Sequence, residues 1–299
     1  MGLKQWMRRL GAGLAAMAMA AAPTAAKVPT AARPALWAVS DRDTTVYLFG
    51  TIHLLPPAMT WRSPVFDGAV ASADQLVVET IVDEKDPSRV MAAISSLAFT
   101  AGLPPLTERV PPAKRAALDA AVKRSGFPAK SLDGMETWAA AILLLGGQFK
   151  DLGVEISAGV ETVLRGEFGA KGKAIGELET NVEQFGYFDR LPESAQRALL
   201  EGATEQGKSV QDVFDNMLSA WAAGDVKTIA KAFNQDLADS PELGKHIIVE
   251  RNTHWANWVG ERLGKPGTVL VAVGAGHLAG RGSVIEQLQK RGLKVRRIQ

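Results

Sequence analysis

Val46-Tyr47-Leu48-Phe49-Gly50-Thr51-Ile52-His53, near the start of the chain, has a counterpart near its end in Leu270-Val271-Ala272-Val273-Gly274-Ala275-Gly276-His277. Each reads as a buried apolar strand that closes in Gly-x-x-His. Glycine at the end of a strand lets the backbone turn sharply and approach a ligand closely. The histidine then projects from the carboxyl end of the strand, the edge where ligands bind in open α/β sheets. A lone histidine is usually a hydrogen-bonded structural residue. Here two of the chain's four histidines share one strand-end frame, which turns the reading of His53 and His277 toward function.

Outward from the first of these strands, Leu36–Val39, the polar turn Ser40–Asp43 and Thr45–Phe49 predict a β-hairpin. A short helix over Val65–Ser72 and a strand over Gln75–Val78 follow, the strand closing at Glu79. The middle is helical. Pro111-Pro112 opens a helix that stops at Ser125-Gly126. Asp133 is placed to cap a helix over Met135–Gln148, and helical stretches continue over Glu155–Gly166 and near 193–206, 209–223 and 225–238. Between them Lys173–Glu179 reads as another strand. A long helix from about Glu242 to Leu263 precedes the last apolar strand, Thr268–Val273, then a helix over Ser283–Lys290 and a strand over Leu293–Ile298. Strands thus lie at both ends of the sequence. The expected fold is α+β: one mixed sheet built from the N- and C-terminal segments, with a largely helical central insert over about 88–265 packed as a cap.

Glu79 and Glu179 both close apolar strands. The plain reading of each is the polar boundary of a core. If the strand before Glu79 lies beside the first strand, its carboxylate emerges on the same edge as both histidines, whereas the place of Glu179 depends on strand order. Two histidines and a carboxylate with open positions suit a divalent ion that activates water. Arg251 and Asn252 sit on the long C-terminal helix. The alternatives for Arg251 are a solvated helix face and a clamp on a carboxylate or oxyanion through its planar fork. His246 and His254, eight apart on that helix, lack a strand-end setting and read against ligation. Trp255, Trp258, Trp138 and Trp221 read as core.

The remaining features bound the function class. Residues 1–26 read as a secretion signal: Lys4, Arg8 and Arg9 precede an apolar run from Leu10 to Ala22, with Thr24-Ala25-Ala26 at the cleavage site. The run is shorter than the roughly 20 apolar residues a spanning helix needs. A flexible leader over 27–35 and a single domain over 36–299 are expected to follow, in a periplasmic or secreted protein with no stable membrane anchor. Loss of three basic residues takes the formal charge from +2 to −1, so the pI near 8.8 carries no argument for nucleic acid. The chain has no cysteine, which excludes disulfides, thiolate ligands and a cysteine nucleophile. It lacks a Walker loop, a Gly-x-Ser-x-Gly elbow and a His-Glu-x-x-His helix. Gly274-Ala275-Gly276 with Gly280 imitates a dinucleotide loop, but too little chain remains to complete a βαβ unit.

Taken in order, Leu36-Trp37-Ala38-Val39 with Tyr47–His53, Val77-Val78-Glu79-Thr80, Gly172-Lys173, Leu178-Glu179-Thr180 with Gln184, Arg251-Asn252, and Val273–Leu278 with Gly280 resemble the TraB/GumN family. That family is related to the Tiki metalloproteases and, more distantly, to haem-binding ChaN and the erythromycin esterases. The resemblance implies an α+β fold with its site at strand ends. From Tiki-type members it implies a metal-dependent peptidase, with His53, His277 and Glu79 as ligands and Arg251 and Asn252 touching substrate or oxyanion. Among manganese, cobalt and zinc it favours the first two. Glu79 is then the expected ligand or general base, and Glu179 a supporting carboxylate. The expectation is an exported hydrolase acting on a peptide or small molecule. Two other readings stand beside it: a metal-free esterase with a histidine base, and a non-catalytic haem-, metal- or peptide-binding protein.

Overall fold

The structure, a computed structural model, describes residues 32–82, 86–149, 152–205, 208–239 and 241–299. The expected secretion signal, and residues 27–31 of the expected leader, lie outside these. Packed chain begins earlier than the expected Leu36. The N–H of Ala32 donates to the Thr60 carbonyl at 3.1 Å and that of Arg33 to Ala222 at 2.7 Å, and Ala32 is buried. Residues 32–35 are therefore part of the fold and not of a leader.

Among the described residues, six strands form one mixed sheet: β1 (Leu36–Ser40), β2 (Thr44–Thr51), β3 (Gln75–Val78), β4 (Ala174–Glu177), β5 (Gly267–Gly274) and β6 (Val295–Arg297), in the order β4-β3-β5-β2-β1-β6. The fold is α+β, as the sequence predicts. The hairpin β1–β2 is antiparallel and β6 adds antiparallel to β1, while β2, β5, β3 and β4 run parallel. β3 therefore does not lie beside the first Gly-x-x-His strand, the condition under which the sequence put Glu79 on the histidine edge. The final apolar strand, β5, is inserted between them. The consequence for the site is favourable, because parallel neighbours bring the ends of β2, β5, β3 and β4 to one edge.

The two motif strands are in register with Val46 opposite Val269 and Gly50 opposite Val273. The sequence echo, which matches Val46 to Leu270, is thus offset by one residue in the sheet. Because side chains alternate between faces, the two motif glycines fall on opposite faces. Val46, Leu48, Val269, Val271 and Val273 pack with Trp255, Val259, Leu263 and Leu288 on one side. Phe49, Leu270 and Ala272 pack on the other with Phe66, Leu164, Phe168, Phe214 and Trp221. Burial on both faces explains why these strands read as unbroken apolar runs.

The central segment builds a separate helical core around Trp138, Leu144, Leu145, Phe188, Leu199 and Leu200. Its helix Thr137–Gln148 begins two residues later than expected, and Asp133 does not cap it. Asp133 ends the short helix Ala129–Asp133 and accepts the N–H of Leu106 instead, at 2.8 Å. The join is held by Arg109, buried, whose guanidinium donates to the carbonyls of Pro104, Asp133 and Met135 at 2.8, 2.5 and 2.5 Å. Leaving the buried Met135 carbonyl without a donor costs on the order of 1–3 kcal/mol, and the part-buried Pro104 and Asp133 carbonyls add less. Arg109→Ala is therefore expected to lower stability by roughly 3 kcal/mol in a denaturant melt, and a variant melting like the parent would remove this clasp.

The long C-terminal helix is also subdivided. Pro241–Leu243 and a π-helical stretch, Gly244–Glu250, lead into the α-helix Arg251–Leu263. The wider π turns shift the phase of residues before them relative to those after. His246 accordingly lies between Glu242 and Glu250, at 3.7 and 3.0 Å, while His254 is exposed. Neither takes part in the hydrogen bonds at the strand-end edge.

Candidate active site at the strand ends

Glu79 directly follows β3 and Glu179 lies two residues beyond the end of β4, and the Glu179 N–H donates to the Glu79 carbonyl at 3.0 Å. His277 lies in a one-turn 3₁₀ helix, Ala275–Leu278, after β5, so Gly274-Ala275-Gly276 opens no dinucleotide-binding helix. Neither motif glycine adopts positive φ. Both are needed for close approach. A Cβ on Gly50 would lie 3.0 Å from Cα of Ala275, and one on Gly274 would lie 3.1 Å from the Glu79 carboxylate, whose Oε1 accepts the Gly274 N–H at 2.7 Å.

Arg251 sits at the centre, 3% exposed, at the first turn after the π segment. Its Nε donates to both oxygens of Glu179, at 2.9 and 3.2 Å, and Nη2 donates to Glu179 Oε1 and, at 2.6 Å, to Glu79 Oε2. Nη1 donates to the Ile247 carbonyl at 3.4 Å and to Nε2 of His277 at 3.2 Å. All five guanidinium N–H groups are thus committed within the protein. As a clamp on substrate, Arg251 would first have to release one of them. Tyr187 and Trp255 flank the guanidinium, their ring centres 5.9 and 4.7 Å from its carbon, and Trp255 also packs on His277.

Asn252 is fully buried and holds His277. Its amide nitrogen donates to the Gly282 carbonyl at 2.9 Å, which leaves its oxygen to accept His277 Nδ1–H at 2.7 Å. With Nε2 accepting from Arg251, His277 is a neutral ring of fixed tautomer. Burial, reinforced by the Arg251 charge, pushes its pKa down to about 3. For Glu79 burial works the other way, but Arg251, the two histidines and the Gly274 N–H outweigh it and hold the carboxyl at about 2. Glu179 is raised, because burial and repulsion from Glu79 exceed what Arg251 returns. Gln184 donates to Glu179 at 3.1 Å and to Glu79 at 3.5 Å.

The depressed Glu79 pKa makes an acid-stability prediction. A carboxylate ionised more readily in the folded chain contributes stability that is complete above its unfolded pKa near 4.5 and is lost as pH falls toward 2. Melting curves of the parent should therefore drop more steeply across that window than those of Glu79→Gln. Parallel pH profiles would contradict the assignment.

His53 differs from the other edge residues in being reachable, with 27% of its side chain exposed. Its Nδ1 lies 2.7 Å from Glu161 Oε1, an oxygen that also accepts the hydroxyl of Thr51. Burial opposes charge on the ring, but Glu161 prevails, with help from Glu79, and raises the pKa to about 9. Sequence reasoning missed Glu161. A helix predicted from Glu155 puts it in mid-helix, whereas the helix spans Val160–Ala170 and Glu161 stands in its first turn. An acidic residue there reads equally well as a partner of the helix dipole, so the sequence offers no distinguishing signal. Lys173, part of the family resemblance, lies away from the edge. It donates to the carbonyls of Val70, Ala71 and Ala73 at 3.4, 3.1 and 2.5 Å, closing the C-terminal end of helix Pro64–Ser72.

The same ordered residues are what known proteins share with this chain, for a model of the TraB/PrgY/gumN family matches residues 35–297. The chain belongs to the TraB/PrgY/gumN family. The match runs from the start of β1 to the end of β6, so the sheet and the helical segment between β3 and β5 both lie within the family's extent. The uncharacterized protein YbaP of Escherichia coli K12 is 25% identical over 248 residues, covering 81% of this chain and 87% of its own, and YbaP of Shigella flexneri gives the same figures. No solved structure matches the chain. Among the described residues, no helix is long and apolar enough to cross a membrane.

Proposed function

We propose that this family member is an exported hydrolase of peptide or ester carbonyls, with His53 as the group that transfers the proton. The observation that carries the reading is the contrast at the strand-end edge. Arg251, Glu79, Glu179, His277 and Asn252 are buried and hydrogen-bonded to one another, while His53 is only half-buried and, among the described residues, its one hydrogen-bonding partner there, Glu161, engages Nδ1. A saturated network of this kind holds its shape, and a reachable imidazole beside it supplies acid–base chemistry. At neutral pH the ring carries its proton, which suits protonation of the leaving group. Glu79→Gln should cost more turnover than Glu179→Gln, because Glu79 ties Arg251 to the Gly274 backbone while Glu179 meets Arg251 and Gln184. The reverse order would make Glu179 the more important carboxylate. Export rests on the basic start and apolar run of residues 1–26, and the mature chain in periplasmic material should begin near Lys27.

A second reading adds a divalent ion, giving the metal-dependent peptidase that the family resemblance implies. Its support is that His53, His277 and Glu79 close three neighbouring parallel strands. As arranged, these donors do not fit an ion. The His277 Nε2 and one Glu79 oxygen accept from Arg251, and the other Glu79 oxygen accepts from Gly274. Among the described residues, no three His, Asp or Glu side chains converge on an ion. Manganese, cobalt or zinc near one per chain in the purified mature protein, lost in both His53→Ala and His277→Ala, would favour this reading. Full turnover in chelator-treated, metal-free protein would remove it, and a haem absorption band would point to the binding-protein alternative.

A further inference from the structure

We propose that Glu161 is a positioning residue for His53: together with Thr51 it reserves the ring's Nδ1–H, so that Nε2 is the nitrogen that meets substrate. The inference rests on His53 as the proton-transfer group and adds what orients it. Thr51 and His53 lie two apart at the end of β2, and both donate to the same oxygen, Glu161 Oε1. Two donors converging on one oxygen fix the carboxylate, and the carboxylate in turn fixes the plane of the ring. This is the arrangement by which a carboxylate orients a catalytic imidazole, recognised by geometry and not by position in a sequence.

The backbone is built to deliver that carboxylate. The N–H of Val160 donates to the Ile52 carbonyl at 3.2 Å, which docks the first turn of helix Val160–Ala170 directly on the chain leaving β2. Gly159 makes the approach possible, because a Cβ there would overlap the carbonyl oxygen of His53. Residues 159–161 and 51–53 therefore meet as two short segments, one supplying the acceptor and the other the two donors. Glu161 Oε2, by contrast, is buried without a hydrogen-bond partner. A buried carboxylate oxygen left in that state costs free energy, so the fold retains Glu161 at a cost that its Oε1 contacts must justify.

The test is proton–nitrogen NMR of the histidine rings in the full mature chain, with His53→Gln identifying the His53 signals. The expected parent spectrum has a downfield, slowly exchanging Nδ1–H from His53. Glu161→Ala should abolish that signal and lower turnover about 10–100-fold. Glu161→Gln, whose amide oxygen still accepts, should keep the signal at a less downfield position and restore part of the turnover. His53 ring signals unchanged in Glu161→Ala would overturn the proposal. If that variant fails to fold, an unshifted Nδ1–H in Glu161→Gln would do the same. The spectra need no turnover, so the two ideas fail separately: undiminished hydrolysis by His53→Gln sinks the proton-transfer reading and leaves the orientation of His53 standing.

Discussion

Arg251→Ala is expected to destabilise the protein by about 3–5 kcal/mol, the usual cost of removing one partner from a buried ion pair. At this chain length that corresponds to a fall of roughly 10 °C in Tm. The guanidinium is the shared counter-charge of Glu79 and Glu179 and also donates to His277, so its removal leaves two carboxylates facing each other in the interior. Arg251→Lys should recover only part of the loss, since one ammonium has three donors where the site uses five. The triple change Arg251→Met, Glu79→Gln, Glu179→Gln should melt well above Arg251→Ala, because it removes the stranded charges with their partner. If Arg251→Ala melts like the parent, the guanidinium is not what holds the edge together, and a substrate-binding role for it becomes the better account.

His53→Gln should have the largest effect on catalysis and little on stability. A proton-transfer group typically contributes about 10²–10⁴-fold to rate. The side chain is partly exposed and caps no core cluster, so glutamine should be accommodated with a Tm close to the parent's. The two substitutions are expected to dissociate, Arg251→Ala acting mainly on folding and His53→Gln mainly on turnover. His53→Gln that melts far below the parent would make the ring a structural residue and weaken the catalytic reading.

Much of this site is legible in the sequence, because polar residues that interrupt or close apolar strands have few places to go. His53, Glu79, Glu179 and His277 each follow such a run, and parallel strands deliver all four to one edge. Arg251 and Asn252 were visible as a pair on a helix, but what they do there was not. Arg251 reads as a substrate clamp only while its five donors are unassigned, and the π turns that aim it leave no mark in the residue pattern. Strand order was hidden for a related reason: β3 follows β2 in sequence, yet β5 arrives from the far end of the chain to part them. Thr180-Asn181-Val182-Glu183 has the form of a capping box, and Thr180 and Glu183 close the start of helix Asn181–Asp189 reciprocally. Glu161 carries no such mark, since its partner is made by the approach of two segments more than a hundred residues apart.

Proton transfer by His53 is tested by incubating purified protein spanning Lys27–Gln299 with a peptide library and a panel of chromogenic esters, beside His53→Gln at matched concentration. The expected result is cleavage by the parent and a loss of at least about 100-fold in the folded variant. Equal cleavage by both proteins, or none by the parent across either substrate class, would contradict it.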